Sequence, residues 1–389
     1  MKCKLGDYIR IKHGFAFKGE YITAENNGVV LVTPGNFEIG GGFKEDKCKF
    51  FNGDYPKEYV LSPYDLIVTM TDLSKQGDTL GYSALVPKTN RVYLHNQRIG
   101  LVDVYNPKAD KMFIYWLMRT QKYQKTIVAT SSGSTVKHTS PSRIYDVEVD
   151  LPPIDVQKKI AAILSALDEK IAINRAINDN LQQQAAALFS SLYDRTNTEV
   201  RFTDLIQILG GGTPKTGENT YWNGNIAFFT PKDVGIPYTL ITEKTITEEG
   251  LSHCNSRLYP VNTVFVTARG TVGKVGMSGV PMAMNQSCYA LVGKETHQLL
   301  VYFYTLKAVD RLKHKASGAV FDAITTRDFE SEQIMKLSDD DAKAFLCIAE
   351  PMFQKVLNNC IENLRLSTLR DSLLPKLMSG EVDVSAVQL

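Results

Sequence analysis

The chain repeats itself at long range, and each copy ends in a long heptad-patterned stretch. Leu5-Gly-Asp-Tyr-Ile9 answers to Phe202-Thr-Asp-Leu-Ile206 at an offset of 197 residues, and Leu31-Val-Thr-Pro34 answers to Phe228-Phe-Thr-Pro231 at the same offset. Ile67-Val-Thr69 matches Phe265-Val-Thr267 at 198, Asn96-Gln97 matches Asn285-Gln286 at 189, and Ser132-Gly133 matches Ser317-Gly318 at 185. A slowly drifting offset is what loop insertions do to a duplicated domain, whereas chance matches scatter. The fold must therefore hold two copies of one domain. Such a repeat implies pseudo-two-fold symmetry and a two-sided partner, for which duplex DNA is the candidate.

The second part of each copy is helical. After Leu151-Pro-Pro153, with Asp155 as the expected N-cap, apolar residues fall at Ile160, Leu164, Leu167, Ile171, Leu181, Leu188 and Leu192. Asn174, Asn178 and Ala185 complete alternating steps of four and three, which is a coiled-coil seam. The same seam recurs 185 residues later as Phe345, Ala349, Met352, Val356, Asn359, Asn363, Leu366, Arg370, Leu373 and Leu377. Antiparallel pairing about the centre sets Asn174 against Asn363 and Asn178 against Asn359, with small residues facing larger ones, and predicts mixed domains at opposite ends of the helices. Buried Asn pairs fix register at some cost in stability, which suits a spacer. Pro351 falls inside the second seam, where an interior proline removes a helix hydrogen bond at a cost of ~3 kcal/mol. A kink or helix restart is expected there, with weaker pairing towards Leu192. The alternative arrangement has each helix packing separately on its own domain.

The remainder of each copy mixes short strands with turns. β-branched runs at Val29–Thr33, Leu66–Thr69, Ile99–Val104, Ile226–Thr230 and Thr263–Thr267 are punctuated by Gly, Pro and Asn. One helix is expected near each end, over Met112–Thr126 and Leu299–Leu312. The reading is a mixed α/β fold: two similar domains, 1–150 and 198–336, separated by two long antiparallel coiled-coil helices in 151–197 and 337–389.

Composition narrows the class. A 43% hydrophobic content is that of an ordinary globular protein. Six cysteines without CxxC or zinc spacing read as reduced thiols of a cytoplasmic chain. No secretory h-region and no stretch of membrane-spanning length occur, so neither secretion nor a membrane partner is expected. Residues 1–150 carry 20 Lys+Arg against 16 Asp+Glu, and residues 198–336 carry 14 against 13. That excess is small for a protein gripping DNA alone, which points to weak intrinsic binding or to a partner that supplies phosphate contacts.

At Leu209-Gly-Gly-Gly-Thr-Pro214, Tyr221-Trp-Asn-Gly-Asn-Ile226, Phe229-Thr-Pro-Lys-Asp233, Ala268-Arg-Gly-Thr-Val-Gly273 and Met284-Asn-Gln-Ser287 the chain resembles the specificity subunits of type I restriction–modification systems. Leu151-Pro-Pro-Ile-Asp-Val-Gln157 resembles the family's central spacer, and Arg370-Asp-Ser-Leu-Leu-Pro-Lys-Leu-Met-Ser-Gly-Glu381 its C-terminal end. The first copy departs from the pattern, with His13-Gly-Phe-Ala-Phe17 where the second has Gly-Gly-Thr-Pro. The resemblance implies two target-recognition domains that read the halves of a bipartite, asymmetric DNA site, with the helices setting the gap. It implies two modification subunits that methylate adenine N6, and restriction subunits that translocate and cleave DNA. The chain itself would carry no cofactor, S-adenosylmethionine, ATP and Mg belonging to other subunits. A helix from Ile160 to Leu192 spans about 48 Å, more than one turn of DNA at about 34–36 Å.

Catalytic signatures are missing from the sequence. The Pro152-Pro153 pair lacks the polar residue before it and the aromatic after it that an adenine methyltransferase loop needs. Lys274 is followed by Val275, so Gly270–Gly276 is no phosphate loop. The six histidines show no metal spacing, and no metal site is expected. DNA contacts need Arg, Lys, Asn, Gln or His on loops. The first domain offers Lys12, His13, Lys18, Asn36, Lys75, Gln76, Lys137 and His138. The second offers Lys215, Lys232, Arg269, Lys274, Lys313 and Lys315. Because Asn96-Gln97 and Asn285-Gln286 recur in both copies, they read as a shared structural element. The competing functional readings are a DNA-modifying enzyme with an unfamiliar site, and a coiled-coil adaptor without nucleic acid.

Overall fold

The computed structural model describes residues 2–46, 48–235, 237–315 and 323–387. The repeat match at Ser317-Gly318 lies outside the described residues. The chain folds as two compact units, Met1–Glu169 with Leu366–Leu389, and Lys170–Arg365.

In the first unit, Lys2–Lys4 pairs with Glu148–Asp150 and closes the start of the domain onto its end. Its four-stranded antiparallel sheet runs in the order Ile9–His13, Ile99–Val104, Leu66–Thr69, Ser83–Leu85. A second sheet of five strands contains the parallel pair Val29–Val32 and Val92–His95. The second unit repeats this topology. Glu199–Arg201 pairs with Gln333–Met335, and the main sheet runs Ile206–Gly210, Cys288–Gly293, Val264–Thr267, Val275–Ser278, Tyr238–Thr239. Again a parallel pair, Trp222–Phe229 with Met282–Met284, forms the neighbouring sheet. Small bonds repeat with the strands: Asp7 accepts from the Lys4 N–H at 3.2 Å, and Asp204 accepts from the Arg201 N–H at 3.3 Å.

The helix expected over 112–126 is two helices, Lys111–Leu117 and Gln121–Ala129. Thr120 restarts the chain by capping the second, its hydroxyl accepting from the Tyr123 N–H, a bond that satisfies an otherwise unpaired first-turn donor. Its counterpart, Gln298–Lys315, is unbroken. The first long helix spans Ile154–Tyr193 and the second Asp339–Ser379. Asp155 is not the N-cap but lies in the first turn, where its charge opposes the helix dipole. Gln157 anchors this start instead, donating to the carbonyls of Pro152 and Lys108, each at 2.8 Å.

Within the second unit the long helices pair antiparallel through both asparagine layers. Asn174 Nδ2 donates to Asn363 Oδ1 at 2.9 Å, and Asn359 Nδ2 donates to Asn178 Oδ1 at 2.8 Å. Within the first unit the pairing is also antiparallel. Asp168 accepts from Arg370 at 2.5 Å and from the buried Arg119 at 2.7 Å. The expected restart at Pro351 does not occur, and helix runs through it. The proline ring lies on the exposed face. Pairing beyond it is not weak either: Phe345, Ala349 and Phe353 join Ala185, Phe189 and Leu192 in the core of the second unit. Phe189 stacks on Phe303 at 4.9 Å between ring centroids. Each of these phenylalanine and leucine side chains contributes ~1.5–3 kcal/mol when buried, enough to offset one lost helix hydrogen bond.

Candidate nucleic-acid interface

Strand register gathers separate loops at one end of each unit's sheets. In the first unit His13 lies opposite Gly100 and Ile99 opposite Thr69, so segments 13–18, 96–98 and 70–80 leave the same end. The parallel pairing of Val32 with His95 brings Thr33–Asn36 there as well. Lys137–His138 then pairs with Thr71–Asp72. In the second unit the same register sets Gly210 against Tyr289, Thr267 against Cys288 and Phe229 against Met284. Segments 211–215, 268–274, 285–287 and 230–233 therefore converge in the same way. Carboxyl ends of parallel strands are where open sheets commonly present binding loops.

The loop after the central strand is built alike in both units. Thr69 donates to the Thr71 carbonyl at 2.9 Å, and Thr267 makes the corresponding bond to the Thr271 carbonyl. Gly81 and Gly273 both take left-handed backbone, φ 83° and 73°, which a side chain would strain, and the N–H of each donates back to the Thr69 or Thr267 carbonyl, at 3.0 and 2.8 Å. Each loop is also tied to its packed helix, the Gly77 carbonyl accepting from Gln124 and the Gly273 carbonyl from Lys313, both at 2.8 Å. Asp72 organises the first loop, accepting from Ser74 N–H at 2.6 Å and Thr79 Oγ1 at 2.7 Å. Burial raises its pKa, but these bonds outweigh it and hold the carboxyl below the ordinary aspartate range.

On this frame Lys12, His13, Lys18, Lys75, Gln76 and His138 are exposed, and Lys137 is half-buried. Lys12 lies 4.8 Å over the Tyr59 ring. His138 Nδ1 is 3.1 Å from Thr71 Oγ1, which ties the outer strand to the loop. In the second unit Lys215, Lys232, Arg269 and Lys274 are exposed. Lys232 stands 3.6 Å from Glu243, a pair of little energetic weight at that exposure.

Three sequence-selected residues are engaged elsewhere. Asn36 is buried, accepting from the Thr33 N–H at 2.9 Å and donating to the Lys44 carbonyl at 3.2 Å. Asp233 does the same for Thr230 in the second unit, so Asn36 holds a turn and does not present a surface amide. Lys313 is committed to the Gly273 carbonyl. Lys315 is 2.5 Å from the carboxylate of Glu332, whose side chain is fully buried and also lies 3.0 Å from Arg311. Leaving that carboxylate unpaired would be costly, so Lys315 acts as its counterion.

Sequence reasoning passed over Arg98, which is exposed at the tip of the 96–98 turn. The structural reading of the recurring Asn-Gln pair is supported directly. Asn96 Oδ1 accepts from the Arg98 N–H and Asn285 Oδ1 from the Ser287 N–H, each at 3.0 Å. A Cβ on Gly14 would lie 2.2 Å from the Asn96 carbonyl oxygen, and one on Gly211 would lie 2.1 Å from that of Asn285. Glycine is required at both crossings. No group of three or more His, Cys, Asp or Glu placed to hold a metal occurs among the described residues, and none of their helices is long and apolar enough to cross a membrane.

Known proteins share this architecture. The family described as the type I restriction modification DNA specificity domain matches residues 1–183 and 195–336. The chain is 24% identical over 402 residues to the type I restriction enzyme HindI specificity subunit of Haemophilus influenzae, covering 79% of this chain and 87% of that one. It is 22% identical over 299 residues to the MjaIX specificity subunit of Methanocaldococcus jannaschii, covering 70% and 69%. The crystal structure of a type I restriction–modification S subunit from M. genitalium shares the fold, with a TM-score of 0.62 at 18% identity over 97% of this chain and 95% of that chain.

Proposed function

The chain belongs to the family of type I restriction–modification specificity subunits, and from that premise we propose that it reads a bipartite, asymmetric DNA site, one recognition domain to each half. The observation that carries this reading is a single loop frame built twice with different exposed side chains. Lys75 and Gln76 stand on the loop after the first unit's central strand, and Arg269 and Lys274 on the corresponding loop of the second. Equal frames with unequal contact residues suit two readers of different base sequences.

In this reading residues 1–150 and 198–336 are the recognition domains, and 151–197 with 337–389 supply the helical spacer. Two adenine-methylating modification subunits and the restriction–translocation subunits assemble on the chain. S-adenosylmethionine, ATP and Mg are then used by those subunits, and this chain contributes sequence choice. The small net charge of +2 fits a protein whose phosphate grip is shared with partners.

Adenine-methylation mapping of genomic DNA, from cells carrying the gene and cells lacking it, tests the proposal. Loss of methylation at one asymmetric bipartite motif on deletion is the expected result. An unchanged methylome, together with no methyltransferase co-purifying with the chain, would favour the adaptor reading instead.

A further inference from the structure

The Asn-Gln turn recurs in sequence and in two of the backbone bonds that hold it, within two units whose other loop residues differ. In the first unit Phe15 N–H donates to the His95 carbonyl at 2.8 Å and Met70 N–H to the Arg98 carbonyl at 2.9 Å. In the second, Gly212 N–H donates to the Met284 carbonyl at 3.1 Å and Ala268 N–H to the Ser287 carbonyl at 2.8 Å. The turn is thus clamped between the entry segment and the central-strand loop in both units. Its tip presents an exposed glutamine each time, Gln97 and Gln286. The residues beside that tip do not match: Arg98 corresponds to Ser287, and the Phe15–Phe17 segment to Gly212–Pro214.

A side chain that discriminates bases should differ between readers of different half-sites. One that recurs serves what both half-sites share, and every half-site shares the phosphate backbone. The amide's orientation agrees with this. In the second unit Thr213 Oγ1 donates to Gln286 Oε1, which takes up one of that oxygen's two acceptor sites and none of the amide's donors. Bidentate recognition of adenine needs the amide oxygen and nitrogen together. A phosphate oxygen needs only the donor.

Resting on the proposed DNA-reading function, we infer that Gln97 and Gln286 are positioning residues that donate to DNA phosphate oxygens, one in each half-site, and set the register in which the neighbouring, dissimilar side chains read bases. The test uses the full chain with its co-purifying subunits. Duplexes containing the mapped motif, and scrambled duplexes of equal length, are titrated over a range of salt. Gln286→Ala is expected to weaken both duplexes by the same factor, about fivefold. The slope of log affinity against log salt should stay unchanged, because a neutral amide releases no counterion, and the methylated motif should also be unchanged. Lys274→Ala, by contrast, lowers that slope by about 1 if its ammonium meets a phosphate. Gln286→Glu keeps the size and can still accept from Thr213 but turns a carboxylate towards phosphate, so it should bind more weakly than the alanine variant. A motif that becomes degenerate at one position of the second half-site would overturn the inference in favour of base reading. Wild-type affinity in both variants would also overturn it, while leaving the DNA-reading function intact. Failure of the unsubstituted complex to bind either duplex, with an unchanged methylome on deletion, would remove both.

Discussion

His95 lies under the Asn-Gln turn, 1% exposed, with Nε2 at 2.8 Å from the Ile99 carbonyl, to which the neutral ring donates. Burial is the main reason that its pKa is held below the usual histidine value. The Ile99 carbonyl pulls upward and Lys12 nearby pushes further down. An unfolded chain takes up this proton near about pH 6.5, while the folded ring stays neutral to lower pH, so stability is lost as pH falls below that value. His95→Gln, whose amide N–H can serve the same carbonyl, should lose less Tm between about pH 7.5 and about pH 5.5 than the unsubstituted chain. Equal losses in thermal melts would remove His95 as the source. Single residues also show what composition conceals. Lys315 and Arg311 look like surface cations in the sequence, yet they neutralise the buried Glu332 carboxylate.

Among the elements, the long helices carry the sharpest constraint. Asn359 is fully buried, and its Nδ2 reaches Asn178 Oδ1. Asn174 donates both to Asn363 and to Glu362, whose carboxyl that bond and the nearby Lys170 hold below the ordinary range. Replacing Asn359 and Asn363 by Leu leaves the buried Asn178 Oδ1 unpaired, at about 1–3 kcal/mol, and leaves Asn174 only its bond to Glu362. The double variant should therefore melt well below the unsubstituted chain. A variant that also converts Asn174 and Asn178 to Leu should recover the stability, with a register no longer uniquely defined. Unchanged melting of the first double variant would sink the idea that these layers set register. The seam was readable because a 3.5-residue period survives whatever the helix packs against. Continuity through Pro351 was not, since it depends on the proline falling on the outer face while Phe345 and Phe353 pack inside.

At the level of the whole molecule, two frames of one topology imply separable readouts. Arg269→Ala should alter methylation or binding preference only in one half of the motif, and Lys75→Ala only in the other. Each effect is expected to be a loss of about 1–3 kcal/mol of discrimination at the base read in that half. Methylome mapping of each variant checks this, and a single substitution that alters both halves would contradict it. From the sequence by itself came the duplication, the mixed α/β units, the two heptad helices and the pairing of their asparagine layers. Those features are periodic or repeated, and periodicity is a local property of the chain. Only tertiary structure decided that Asn36 turns inward, that Lys313 and Lys315 serve the fold, and that the loops closing at Gly81 and Gly273 share one construction. It also decided that five separate segments meet at one sheet end. These outcomes depend on strand register and on partners tens of residues away, where burial and hydrogen bonding assign each polar group either to the interior or to the surface.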